Sequence, residues 1–259
     1  MLKPPEHATR MMASRPFNFT FWLSIPLVTM TLLLIFEPTE LDFWITQHFY
    51  IPSQGFFARN DYWLESILHD RAKQLVISFV MLLALTLLLS PRLAALHPWR
   101  RQLTYLLLAI SLSTAIVPPL KTLTAIQCPW SLNTFGGNEI FVPLFGEHPQ
   151  TDKPGRCWPG GHASTGFSLL ALFFALRDRR PRLARSALLA ALGFGAVLSA
   201  GRMLQGAHFL SHNLWTLLID WTICLVTYRL LLYRTAPLGN AAVEETDHQR
   251  RAGLLNATP

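Results

Sequence analysis

Residues 74–90 read Gln-Leu-Val-Ile-Ser-Phe-Val-Met-Leu-Leu-Ala-Leu-Thr-Leu-Leu-Leu-Ser, a run without a single charged side chain. A helix rises about 1.5 Å per residue, so some twenty apolar residues cross the roughly 30 Å hydrocarbon core of a bilayer. Five further runs of this character flank it, at about 17–36, 103–120, 162–177, 186–202 and 212–233. The expected fold class is therefore all-α: a polytopic membrane protein of six transmembrane helices.

Composition agrees. Of 259 residues, 51% are hydrophobic and only 14% charged, and eight are tryptophan. The net charge of +7 does not indicate nucleic acid, because the arginines lie in short segments between apolar runs instead of forming a stripe on a soluble fold. The partners expected are membrane lipids. The first run begins near Phe17 and continues past Phe36 without a small-residue cleavage site, so it reads as a retained signal anchor.

The basic residues also orient the chain. Lys3, Arg10 and Arg15 precede the first run, Arg92, Arg100 and Arg101 separate the second from the third, and five arginines from Arg177 to Arg185 separate the fourth from the fifth. Arg234 follows the sixth. The positive-inside rule places all of these in the cytoplasm. Segments 37–73, 121–161 and 203–211 then face outward, to the periplasm if the membrane is a bacterial inner membrane. The expected domains are a cytoplasmic segment 1–16, a membrane domain 17–234 and a disordered cytoplasmic tail 235–259. Within 37–73, the aromatic-rich stretches Leu41–Ile45 and Tyr62–Leu68 read as short helices lying at the outer interface.

Three polar clusters fall in or beside the outward segments. Lys121 follows Pro118-Pro119-Leu120 and precedes Cys128-Pro129; by itself it reads as a snorkelling lysine at a helix end, and its value comes from its company. The second cluster, Arg156-Cys157-Trp158-Pro159-Gly160-Gly161-His162, opens directly into the fourth run. Paired glycines ahead of a helix leave backbone amides exposed to an anion, although Pro-Gly-Gly is also an ordinary turn. The third joins the fifth and sixth runs and holds Arg202, His208 and His212. Together they supply what phosphate-ester cleavage requires: fixed cations for the phosphoryl oxygens, a nucleophile and a proton donor.

These residues resemble the type 2 phosphatidic acid phosphatase superfamily, membrane lipid phosphatases that share their core with vanadium haloperoxidases. Its pattern is Lys-x6-Arg-Pro, Pro-Ser-Gly-His and Ser-Arg-x5-His-x3-Asp. Here the matching stretches are Lys121-x6-Cys128-Pro129, Pro159-Gly160-Gly161-His162 and Gly201-Arg202-x5-His208-x3-His212, with order and spacing kept over about 103–233. The resemblance implies a metal-independent hydrolase of lipid phosphomonoesters or diphosphates, needing no cofactor. It makes His208 the nucleophile that carries a phosphohistidine, His162 the acid for the leaving oxygen, and Lys121 and Arg202 the phosphate-binding cations. A phosphotransferase using the same site, or a non-catalytic phospholipid-binding protein, are the alternatives.

Four positions depart from the pattern. Cys128 replaces an arginine, and Arg156 is the candidate to restore that charge. Gly160 replaces a phosphate-binding serine, for which its amide, with that of Gly161, is the expected substitute. Gly201 replaces another serine. His212 replaces the aspartate that orients the nucleophile, and a neutral imidazole is expected to accept the His208 ring N–H while losing that capacity on protonation. Weaker activity at acidic pH follows. With His162, the pair His208 and His212 also makes a possible three-imidazole metal set, disfavoured by the adjacent cations. Cys128 and Cys157 share one outward segment in a compartment that tolerates disulfides, and a bridge between them is the expectation. Asp220, about two turns below His212, reads as a partner in a structural hydrogen bond, and Cys224 as packing.

Overall fold

The computed structural model describes residues 14–147 and 153–234, so the tail 235–259 and most of segment 1–16 lie outside the described residues. One compact unit spans Asn18–Leu232. The second includes Ser14 and Arg234, joined by Ser14 N–H to the Arg234 carbonyl and Arg234 N–H to Ser14 Oγ, both at 3.0 Å.

Helix α1 (Phe19–Ile35) starts at Asn18, whose Oδ1 accepts the Phe21 amide at 2.9 Å. Three of its hydroxyls are satisfied inside the helix: Ser24, Thr29 and Thr31 donate to the carbonyls of Phe21, Ile25 and Leu27. That is how polar side chains are tolerated where no water can reach them. The chain then bends by 86° into α2 (Thr39–Gln47). A two-stranded antiparallel hairpin follows, β1 (Tyr50–Ile51) with β2 (Gly55–Phe56), turning through residues 52–54, where Ser53 takes a φ of +67°. A π-helical stretch, Trp63–Arg71, leads into α3 (Ala72–Leu89).

After a 3₁₀ segment, Ala94–Trp99, the chain forms α4 (Arg100–Ala115) and α5 (Val117–Thr124), with Pro118 in the first turn of α5, where its missing N–H costs nothing. Helix α5 stops at Ala125, in the left-handed region at φ +50°. Next come α6 (Gly161–Phe167) and α7 (Ala171–Leu176), separated by one 3₁₀ turn, Ser168–Leu170. Helices α8 (Pro181–Leu204) and α9 (Leu210–Leu231) complete the unit.

Each of the six apolar runs is thus helical. Four helical stretches are long and apolar enough to cross a membrane: 72–89, 94–131, 181–204 and 210–231; α1 with α2 is a fifth if the bent pair counts as one span. The run at 161–176 is shorter and interrupted. The two aromatic-rich stretches expected to be short helices are α2 and the π-helical stretch, whereas the hairpin between them has no periodic signature in the sequence.

Helix α9 is the centre of the bundle, packing against α1, α4, α6 and α7. Helix α6 lies so close to α8 that a methyl group on Gly166 would come within 2.4 Å of the Gly195 Cα, the small-residue contact by which membrane helices approach. Below this contact, fully buried Asp220 accepts a hydrogen bond from Ser164 Oγ at 3.3 Å. Helix α3 is peripheral and leaves Leu75, Met81, Leu82 and Leu88 exposed, the pattern of a surface solvated by lipid chains.

Candidate active site

Three cross-loop backbone hydrogen bonds bring the polar clusters together at one end of the bundle. Cys157 N–H donates to the Ile126 carbonyl at 3.0 Å, tying the first cluster to the second. Gly160 N–H donates to the His212 carbonyl at 3.1 Å, tying the second to the third. Trp130 N–H donates to the Gly206 carbonyl at 2.9 Å and closes the circuit from the third to the first. Thr124 Oγ1 to the Trp158 carbonyl, and Thr216 Oγ1 to that of Gly160, reinforce it. Cys128 and Cys157 are paired within the same framework, with Cα atoms 5.2 Å apart.

This frame sets the side chains. Lys121, in the second turn of α5, lies over the second cluster: a methyl group on Gly161 would sit 3.5 Å from both its Cε and its Nζ. His162 is the second residue of α6. Arg202, in the last turn of α8, donates to Gln205 Oε1 at 2.8 Å and lies over the Trp130 ring at 5.5 Å. His208 occupies the short connection between α8 and α9, and that connection is shaped by Gly206 at φ +73°, with Phe56 packed where a Cβ would be. Lys121, Arg202, His162 and His212 are all within electrostatic reach of His208. Burial first, and these neighbours second, hold the His208 imidazole well below its usual pKa. At neutral pH it is uncharged, with a lone pair available.

Two expectations are corrected. The Gly160 amide, expected to replace a serine hydroxyl at the phosphate, is already donated to the His212 carbonyl. His212 does not accept from His208 either: the ring centroids are 5.9 Å apart, and Nδ1 of each is buried without a hydrogen-bond partner. The first turn of α9 fixes His212 beside Phe209 and Gly160, directed away from its expected role. Among the described residues, no three His, Cys, Asp or Glu side chains are gathered to hold a metal, so His162, His208 and His212 do not make the three-ligand set.

A cavity of about 500 Å³ is bordered by part of this cluster and not by Arg202, His208 or His212. Its lining holds Lys73, Lys121, Arg156, Gly161 and His162 together with the apolar Val76, Ile77, Val80 and Met81 of α3. Arg156 therefore does share a cavity with Lys121 and His162. Sequence reasoning missed Trp130, Gln205, Asn213 and Asp42. Of these, only Asp42 gave a signal, as a lone acid in the apolar, aromatic stretch Leu41-Asp42-Phe43-Trp44-Ile45.

Apolar helices long enough to cross a bilayer, carrying a cluster of lysine, arginine and histidines at one end, are consistent with a membrane protein that handles phosphoesters. The model of the PAP2 superfamily matches residues 102–236, more than half of the chain, and the protein belongs to that superfamily of phosphatases. No curated protein and no solved structure gives a significant match.

Proposed function

We propose that this protein hydrolyses a lipid phosphomonoester or lipid diphosphate at the outer face of the membrane, without a metal, through a phosphohistidine on His208. The observation that supports the lipid assignment is the cavity just described, lined both by the cations Lys73, Lys121 and Arg156 with His162 and by the apolar side chains Val76, Ile77, Val80 and Met81 of α3. A phosphate headgroup and its hydrocarbon tail need both kinds of lining.

In this reading the neutral His208 ring nitrogen attacks phosphorus, forming an N–P bond as the ester O–P bond breaks. His162 delivers a proton to the departing oxygen. Water then attacks phosphorus, the N–P bond breaks, and inorganic phosphate leaves. Lys121, Arg202 and Arg156 hold the phosphoryl oxygens, so that positioning and charge supply most of the rate. Six membrane crossings, with 161–176 as a short one, both termini in the cytoplasm and the site facing the periplasm of a bacterial inner membrane, complete the proposal. The distribution of arginines supports that orientation.

The test is phosphate release from a panel of lipid phosphates by purified wild type and His208→Ala, with acid-labile phosphorylation of the protein followed in parallel. Activity and labelling in wild type, both lost in His208→Ala, are expected. Labelling without phosphate release until a second lipid is added would replace hydrolysis by phosphotransfer.

A further inference from the structure

The family pattern places a carboxylate at position 212 to orient the nucleophile, and this chain has histidine there. Yet a buried carboxylate does reach the segment, from far away in sequence. Asp42, on α2 and only 5% exposed, accepts the Ser211 backbone amide on Oδ1 at 3.0 Å and the Ser211 hydroxyl on Oδ2. Ser211 lies three residues after His208 and immediately before His212.

Helix α9 needs such an acceptor. Phe209, at its N-terminal boundary, provides no side-chain cap, so the first-turn amides must find a partner elsewhere. Asp42 supplies it from another element, and a negative charge there also complements the helix dipole. The adjacent Phe43 stacks on Phe209, with ring centroids 5.3 Å apart at 24°. Neighbouring residues of α2 thus grip both sides of the α9 start: one by charge-assisted hydrogen bonds, the other by an aromatic face. A buried carboxylate is costly unless it is fully hydrogen-bonded, and here both oxygens are used on one serine.

We propose that Asp42 is a positioning residue for the nucleophile: by clamping Ser211 it fixes the 208–212 segment, and with it the direction of the His208 ring. The inference rests on the reading of His208 as nucleophile. Asp42 lies outside residues 102–236, the part of the chain that the family model matches. It acts through Ser211, without touching substrate.

The experiment is a double-mutant cycle on the full-length protein in detergent: Asp42→Asn, Ser211→Ala and the double variant, with kcat, KM and Tm measured on a lipid phosphate that the wild type cleaves. A displacement of about 1 Å in a reacting group costs on the order of 100-fold in rate, so each single variant is expected to lose about 10- to 100-fold in kcat with KM within about threefold. The double variant should be no slower than the slower single one, because both changes break the same clamp. Asp42→Glu should recover part of the loss. Unchanged kcat in Asp42→Asn, or losses that multiply in the double variant, would overturn the proposal. If Asp42→Asn does not fold, Ser211→Ala decides alone by the same kcat criterion. A wild type that cleaves no lipid phosphate would instead overturn the proposed function. In that case the clamp is tested as a structural pair by Tm, where losses that simply add would overturn it.

Discussion

The Oδ1 atom of Asn213 occupies the space a side chain at position 160 would need, 2.5 Å from where the Cβ would lie. Asn213 is held there by its own amide, which donates to the Phe209 carbonyl at 3.0 Å. Gly160 leaves Asn213 undisturbed, whereas a serine there requires the Asn213 side chain to shift.

Gly160→Ser should therefore harm the protein despite restoring the family residue. Overpacking of this kind costs about 1–3 kcal/mol, and a drop in Tm together with a drop in phosphate release is the expected result. Adding Asn213→Ala opens the space, and the double variant should recover stability relative to Gly160→Ser. Thermal unfolding of the three proteins in one detergent measures it.

Arg156 borders the cavity shared by Lys121 and His162, in a loop whose Cys128 stands where the family carries arginine. Arg156→Ala is expected to lower kcat/KM for a lipid phosphate about tenfold or more, with Arg156→Lys intermediate because lysine lacks the planar, bidentate fork. Full activity in Arg156→Ala would remove it from the phosphate-binding set.

Acid sensitivity is expected from Asp42 instead of His212. Burial above all raises the Asp42 carboxyl from 3.8 to about 6, with Glu37 adding repulsion and the Ser211 hydrogen bonds opposing. Glu37 and His212, which border the same small cavity, are the titratable groups that face it. Below about pH 6 one carboxylate oxygen takes a proton and the clamp on Ser211 loses an acceptor. Because this pKa is raised on folding, protonation of Asp42 relieves a burial cost and adds stability as pH falls. A fall in kcat below pH 6 is then a loss of positioning by Asp42. The pH–rate profile of Asp42→Asn should be lower and flat between pH 5 and 7; retention of the wild-type acid limb would assign it to another group.

Cys128 and Cys157, 29 residues apart, should resist alkylation until a reductant is added, as read by mass spectrometry. Closing a loop of that length stabilises a fold by roughly 3–4 kcal/mol on chain entropy. Cys128→Ser with Cys157→Ser should accordingly lower Tm and loosen the join between the Lys121 and His162 segments.

The helical runs were legible because each is long, apolar and bounded by charge: α3 could be read from residues 74–90 alone. Lys121, His162, Arg202 and His208 stand out in the sequence by their spacing, and the structure brings the first three within electrostatic reach of His208. What escaped notice depends on contacts across the chain. The 86° bend between α1 and α2 leaves no periodic trace, and the partnership of Asp42 with Ser211 spans 169 residues. The use of the Gly160 amide is set by where the His212 carbonyl falls, which no local pattern reveals. The pairing expected of His208 with His212 assumed that replacement of a residue preserves its job, whereas the first turn of α9 directs His212 elsewhere.

The main-chain links at Ile126–Cys157, Gly160–His212 and Gly206–Trp130 have a further consequence for how such a protein diverges. Amides and carbonyls are common to nearly every amino acid, so the scaffold of the catalytic end does not depend on which side chains it displays. Arginine can be exchanged for cysteine, serine for glycine or aspartate for histidine without dismantling the architecture, leaving the reactive set free to be re-equipped from neighbouring helices.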